Sequence, residues 1–168
     1  EISAIYTMHP CFYAFETGRI GEEEFRDSIR SIFHLKTSDA EIDRCWNAML
    51  VGIPQEKLVM LTRLKDHFTT HVLSNTNSIH LNYINDVILK GQVLDTYVHH
   101  AYYSHLLGMR KPDREIFEYV LHAHSLIPEQ TLFMDDNADN IHAAKALGID
   151  TLLIEHPDRV MDLFKNYA

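Results

Sequence analysis

The sequence predicts an α/β fold: a parallel sheet covered by helices, preceded by a small all-helical unit. Three observations carry that prediction. The first third spaces its apolar residues by three and four, helical patterns alternate with short apolar runs from Pro54 onward, and polar clusters follow three of those runs.

Taken in order, Ile20, Phe25, Ile29, Ile32 and Phe33 fall mostly on one helical stripe, and Glu22, Glu23 and Glu24 suit the electropositive start of that helix. Ser38 and Glu41 form a capping box ahead of Ile42, Cys45, Trp46, Met49 and Leu50. Gly52 and Pro54 close this unit, so the chain divides into a helical segment at 1–53 and an α/β segment at 54–168. A helix bearing Leu58, Leu61 and Leu64 leads to a strand at 70–74, and a second strand is expected at 101–104. The helix at 113–124 carries Ile116, Phe117, Val120 and Leu121 on one face and precedes a strand at 131–134. Ile141, Ala144 and Leu147 line the next helix, Gly148 suits its C-terminal cap, and 151–154 is a last short strand. Strands separated by helices pair in parallel through right-handed crossovers.

Bulk properties narrow the function. The 168 residues are 46% hydrophobic and 23% charged, values of an ordinary globular chain with a core. A net charge of −9 opposes nucleic-acid binding, because phosphates meet a repelling average surface. No window approaches the roughly 18 apolar residues of a membrane span, and the N-terminal stretch lacks a signal-peptide layout, so a cytoplasmic protein with no membrane partner is expected. Cys11 and Cys45 stand in no metal-ligand or redox spacing and are expected to be reduced, core-type thiols.

The polar clusters carry the chemistry. Ser74 and Asn75 end the first strand in VLSNTN, Lys111 follows the second in GMRKPD, and Asp135 and Asp136 end the third in TLFMDDNADN. In open parallel sheets ligands sit beyond the carboxyl ends of the strands, where all three clusters fall. A hydroxyl can donate to a phosphate oxygen, an ammonium can neutralise a phosphate, and paired aspartates can hold Mg²⁺, which prefers oxygen ligands. Each cluster alone has an ordinary explanation: turn chemistry for Ser74 and Asn75, a solvated lysine before a helix for Lys111, and capping of the helix near Ala138 for the aspartates. Three clusters in one order, each after an expected strand, are harder to attribute to capping.

LSNTN, GMRKPD and TLFMDDNADNIHAAKALGI together resemble motifs two, three and four of the haloacid dehalogenase superfamily, and residues 54–154 follow that family's core. The resemblance implies a Rossmann-like core with a helical cap, and within the family the sequence is most similar to sugar-phosphate phosphatases. It further implies a Mg²⁺-dependent hydrolysis of a small phosphorylated metabolite through an aspartyl phosphate. Ser74 matches the phosphate-binding hydroxyl with Asn75 beside it, and Lys111 matches the motif-three lysine in both phosphate binding and catalysis. Asp136 takes the metal-binding place with Asp135 nearer Lys111, and Asn140 stands at the later, usually acidic position. The acidic fourth motif favours ester hydrolysis over the metal-free dehalogenases.

The family's first motif, a strand ending D-x-D, supplies the nucleophile, and the sequence contains no D-x-D. That strand is expected upstream of Glu1; without it the strands ending at Ser74 and Met134 would each expose an inner edge. Two other readings compete. A signalling receiver also uses an acidic pair, a hydroxyl and Lys-Pro, but places the acidic pair first, whereas here it comes last. A non-catalytic binding protein that keeps the phosphate and metal groups differs only in lacking the nucleophile. Among the remaining polar residues, His99, His100 and His105 fit no recurring zinc spacing, and His105 and Leu106 fall near the expected pocket rim. Tyr6, Phe33 and Trp46 are expected to pack the helical unit's own core rather than line a substrate site.

Overall fold

The computed structural model describes residues 9–167. Four helices come first: α1 (Pro10–Glu16), α2 (Glu22–Phe33), α3 (Asp39–Asn47) and α4 (Gln55–Leu64). Each starts where local chemistry allows. Pro10 opens α1 with a fixed φ, and Ser38 caps α3 by accepting from the Glu41 amide at 3.3 Å. The expected capping box is made only by half, because the Glu41 carboxylate accepts from Arg44 at 2.7 and 2.8 Å instead of reaching back to the Ser38 amide. Arg26 of α2 holds both α3 and its own first turn, meeting Asp43 at 2.7 Å and Glu22 at 2.9 Å.

The first three helices bury Phe12, Phe15, Phe25, Ile29 and Ile42, with Ile20, Phe33 and Trp46 packed against them. Phe33 and Trp46 thus do the expected core packing, while Tyr6 lies outside the described residues. Cys11 is buried, but Cys45 is exposed on α3; the expectation of two core-type thiols is corrected, because the apolar stripe turns Cys45 toward solvent.

The α/β part runs β1 (His71–Ser74), α5 (Ser78–Tyr83), β2 (His100–Tyr103), α6 (Ser104–Leu107), α7 (Arg114–Ala123), β3 (Leu132–Asp135), α8 (Ala138–Lys145), β4 (Asp150–Leu153) and α9 (Arg159–Leu163). A π-helical turn (Ile84–Ile88) and a 3₁₀ turn (Leu94–Tyr97) lie between α5 and β2. The four strands fall within a residue of their expected positions. β1 pairs in parallel with β2, His71 opposite His100 and Ser74 opposite Tyr103, and β3 pairs in parallel with β4, Leu132 opposite Asp150 and Asp135 opposite Leu153. Among the described residues these form two half-sheets, with β1 and β3 facing each other across cavities of about 310 and 530 Å³.

On one face of the strands, α7 and α8 bury Ile116, Phe117 and Ala144 with Ile149, and Leu73 and Phe133 reach that cluster from β1 and β3. The larger cavity is walled by Met60, Leu61 and Leu64 of α4, by Met134, by Val160 of α9 and by Phe164, which caps that helix. The helical unit and the α/β part also interlock. Ile79 of α5 is buried in the helical unit's core, and the His80 ring stacks on Trp46 at 5.0 Å. His80 Nε2 lies 3.1 Å from the Trp46 carbonyl, which can only accept, so that nitrogen carries the proton. Burial pushes the imidazole's pKa down and keeps it neutral there. No helix among the described residues is long and apolar enough to cross a membrane.

Candidate active site

The site forms at the carboxyl ends of β1 and β3. Ser74 is the last residue of β1 and is half-buried, and the segment after it turns into α5 through Asn77, whose side chain accepts from the His80 amide at 3.0 Å. Beneath this turn lies a group the sequence reading missed. Ser104 Oγ, fully buried at the start of α6, accepts from the Thr76 amide at 2.9 Å and donates to the Thr76 carbonyl at 3.0 Å. A lone serine 28 residues away gives no sequence signal of that pairing.

Asn75 does not point its amide into the site. Its Oδ1 accepts from the Lys111 amide at 2.9 Å and its Nδ2 donates to the Lys111 carbonyl at 2.7 Å, a reciprocal pair that welds the serine loop to the lysine loop. With Oδ1 and one Nδ2–H committed in this way, Asn75 keeps its second Nδ2–H and its backbone as donors.

Lys111 is buried, and its ammonium donates to Asp135 Oδ2 at 2.6 Å. Asp135 Oδ1 accepts from the Asn137 amide at 2.8 Å and from Asn140 Nδ2 at 3.0 Å. Burial pushes the Asp135 carboxyl up, but donation from Lys111, the Asn137 amide and Asn140 outweighs it and holds the group below its ordinary value. The motif aspartates therefore separate. Asp135 is filled with donors, and Asn140 is a partner of Asp135 on the buried side of α8.

Asp136 is exposed, and among the described residues nothing pairs with its carboxylate. An unpaired carboxylate beside a filled one, at the end of a strand, is the donor that Mg²⁺ suits, since the ion takes one or two protein oxygens and keeps several waters. Among the described residues no three His, Cys, Asp or Glu side chains stand close enough together to hold a metal. The capping explanation holds in part: Asn137 caps α8 by accepting from the Asp139 amide at 2.8 Å, with Asp135 beneath it. It does not account for Asp136.

Of the histidines in the sequence, His105 lies beside the serine loop and burial lowers its pKa. His100 joins a cluster at the other end of β1. Its ring lies 5.0 Å from His71 and 3.9 Å from His124, and the Tyr102 hydroxyl meets His124. Burial, then the neighbouring imidazoles, push His71 down to about 4, and neither of its ring nitrogens has a hydrogen-bond partner among the described residues.

Comparison with known proteins places this geometry. A family model described as haloacid dehalogenase-like hydrolase matches residues 59–154. The chain is similar to D-ribitol-5-phosphate phosphatase of Bacteroides thetaiotaomicron, 29% identical over 153 residues that cover 90% of this chain and 74% of that protein. It also resembles the structure of a HAD family enzyme from the same organism, an aspartate-to-alanine mutant in complex with magnesium and inorganic phosphate. The identity is 35% and the TM-score 0.86, over 91% of this chain and 77% of that one. A HAD-like family hydrolase of Porphyromonas gingivalis matches at 26% identity and a TM-score of 0.88, over 98% of this chain and 82% of that one. With the serine, lysine and aspartate loops meeting at one strand edge, the chain belongs to the haloacid dehalogenase-like hydrolases.

Proposed function

We propose that the chain supplies the phosphate, lysine and metal groups of a Mg²⁺-dependent phosphatase that hydrolyses a small phosphorylated metabolite, with sugar and polyol phosphates as the substrate class. The observation that carries this reading is the division of labour in the aspartate pair: Asp135 anchors Lys111 at 2.6 Å while Asp136 stands exposed beside it. The similar enzyme held with magnesium and phosphate, and the similar ribitol phosphate phosphatase, support it.

The residues divide the work as follows. Ser74 donates to a phosphate oxygen, and the Lys111 ammonium, fixed by Asp135, offsets negative charge on the phosphoryl group in flight. Asp136 holds Mg²⁺, which when bound draws charge from phosphate oxygens. A nucleophilic aspartate attacks phosphorus, the bond to the substrate oxygen breaks, and the departing oxygen takes a proton from a general acid, which regains it from the water that attacks in the second step. Water then attacks the aspartyl phosphate at phosphorus and frees inorganic phosphate and the carboxylate. The sequence holds no D-x-D, and we assign the nucleophile to a strand seated between β1 and β3. The cavities there support that placement, since a strand in them would join the half-sheets into five parallel strands. We take 1–53 as the helical cap and 54–168 as the core.

The test is phosphate release by the full-length protein from a panel of pentitol, hexose, glycerol and isoprenoid phosphates, with Mg²⁺ and with chelator. Mg²⁺-dependent release, greatest on polyol or sugar phosphates and cut by about a hundredfold or more by Lys111→Met, is expected. Release from none of the panel would sink the reading and favour a protein that only binds phosphate.

A further inference from the structure

The lysine loop is tied to the helical unit by an ion pair. Arg110 Nη1 meets Glu16 Oε2 at 2.9 Å, and the Glu16 side chain is 7% exposed. The same guanidinium donates through Nε to the Lys111 carbonyl at 3.2 Å, the oxygen that also accepts from Asn75. An unbroken chain of contacts thus runs from the last residue of α1 through Arg110 and the Lys111 backbone to the Lys111 ammonium on Asp135. Tyr13, one turn earlier on α1, flanks it. Its ring lies 5.5 Å from the Arg110 guanidinium, and its hydroxyl donates to Asp113 at 3.2 Å. The turn after α1 is pressed onto α6: Gly18 has φ +66°, and a Cβ there would sit 2.2 Å from the His105 carbonyl oxygen.

We propose that Glu16 and Arg110 are positioning residues, whose ion pair fixes the Lys111 backbone and so makes the lysine's placement depend on docked α1. This deepens the phosphatase reading and rests on it for its catalytic consequence. The geometry favours positioning over a general staple, because Arg110 sets Nη1 against the carboxylate as an ion pair and donates through Nε to the backbone of the residue that carries the ammonium. A guanidinium presents Nη1 and Nε in one rigid plane toward both groups, whereas a lysine has a single ammonium on a flexible stem.

The experiment compares Glu16→Gln, Arg110→Gln and Arg110→Lys in the full-length protein, with two readouts: kcat/KM, and amide hydrogen exchange of Lys111, whose N–H is held by Asn75. Both Gln variants should lower kcat/KM and speed Lys111 exchange, each by about tenfold or more, with exchange over 131–135 unchanged. Arg110→Lys keeps the charge and loses the Nε donor, so it should fall between them and the parent, and it carries the test should a Gln variant fail to fold. Changes within about twofold in both readouts, or faster exchange in 108–113 and 131–135 alike, would overturn the proposal. If the parent releases no phosphate from any ester, the phosphatase reading fails, and the exchange measurement still decides whether the pair positions Lys111.

Discussion

The Lys111 ammonium and the Asp135 carboxylate meet at 2.6 Å with side chains 9% and 7% exposed, so each is the other's answer to burial. Removing one partner of such a pair leaves a charge with less than it needs, and Asp135 would keep only the Asn137 and Asn140 donors. Lys111→Met should lower unfolding free energy by about 3 kcal/mol, read from urea midpoints. It should also cut phosphate release by about a hundredfold or more.

Asp136 lies next to that pair in sequence, yet nothing among the described residues binds its carboxylate. Asp136→Asn should therefore leave stability within about 0.5 kcal/mol of the parent, as at an ordinary surface position. Loss of a metal's outer partners already costs 10–100-fold, so Mg²⁺ affinity by titration calorimetry should fall by about 100-fold or more. Unchanged Mg²⁺ binding would move the metal site elsewhere.

Ser104 holds both backbone groups of Thr76 from a fully buried position. Ser104→Ala strands a buried N–H and a buried C=O beneath the serine loop. A cost of about 2 kcal/mol is expected, together with weaker inhibition by inorganic phosphate. Both are measurable on one preparation by denaturant unfolding and inhibition kinetics.

His71 sits among His100, His124 and Tyr102, with His99 further along, and its pKa is pushed from 6.5 to about 4, first by burial and then by His124, His100 and His99. The folded value lies below the unfolded one, so the unfolded chain binds the proton first and stability rises with pH. Its contribution is complete above pH 6.5 and is lost as pH falls toward 4, by on the order of 2 kcal/mol after allowance for partial exposure. His71→Leu should flatten that fall in a series of urea midpoints, and an equally steep fall in the variant would assign the acid sensitivity to other groups.

What the sequence determined by itself is what short-range chemistry fixes. Helical spacing, the Ser38 cap and the apolar runs set the elements, so β1 to β4 lie within a residue of expectation. Ser74, Lys111 and Asp136 follow three successive strands in the order that the phosphatase reading uses. The tertiary structure alone decided who holds whom: Asn75 gripping the Lys111 backbone, Asp135 filled while Asp136 stays open, Ser104 under Thr76, and Glu16 against Arg110. It also turned Cys45 to solvent and gathered His71, His100 and His124 from three elements. Those pairings join residues 24 to 94 positions apart, and a hydrogen bond across such a gap leaves no periodic trace in the chain. Local propensity specifies which elements form, whereas partners of buried polar groups are chosen only when packing excludes water and forces each to find one.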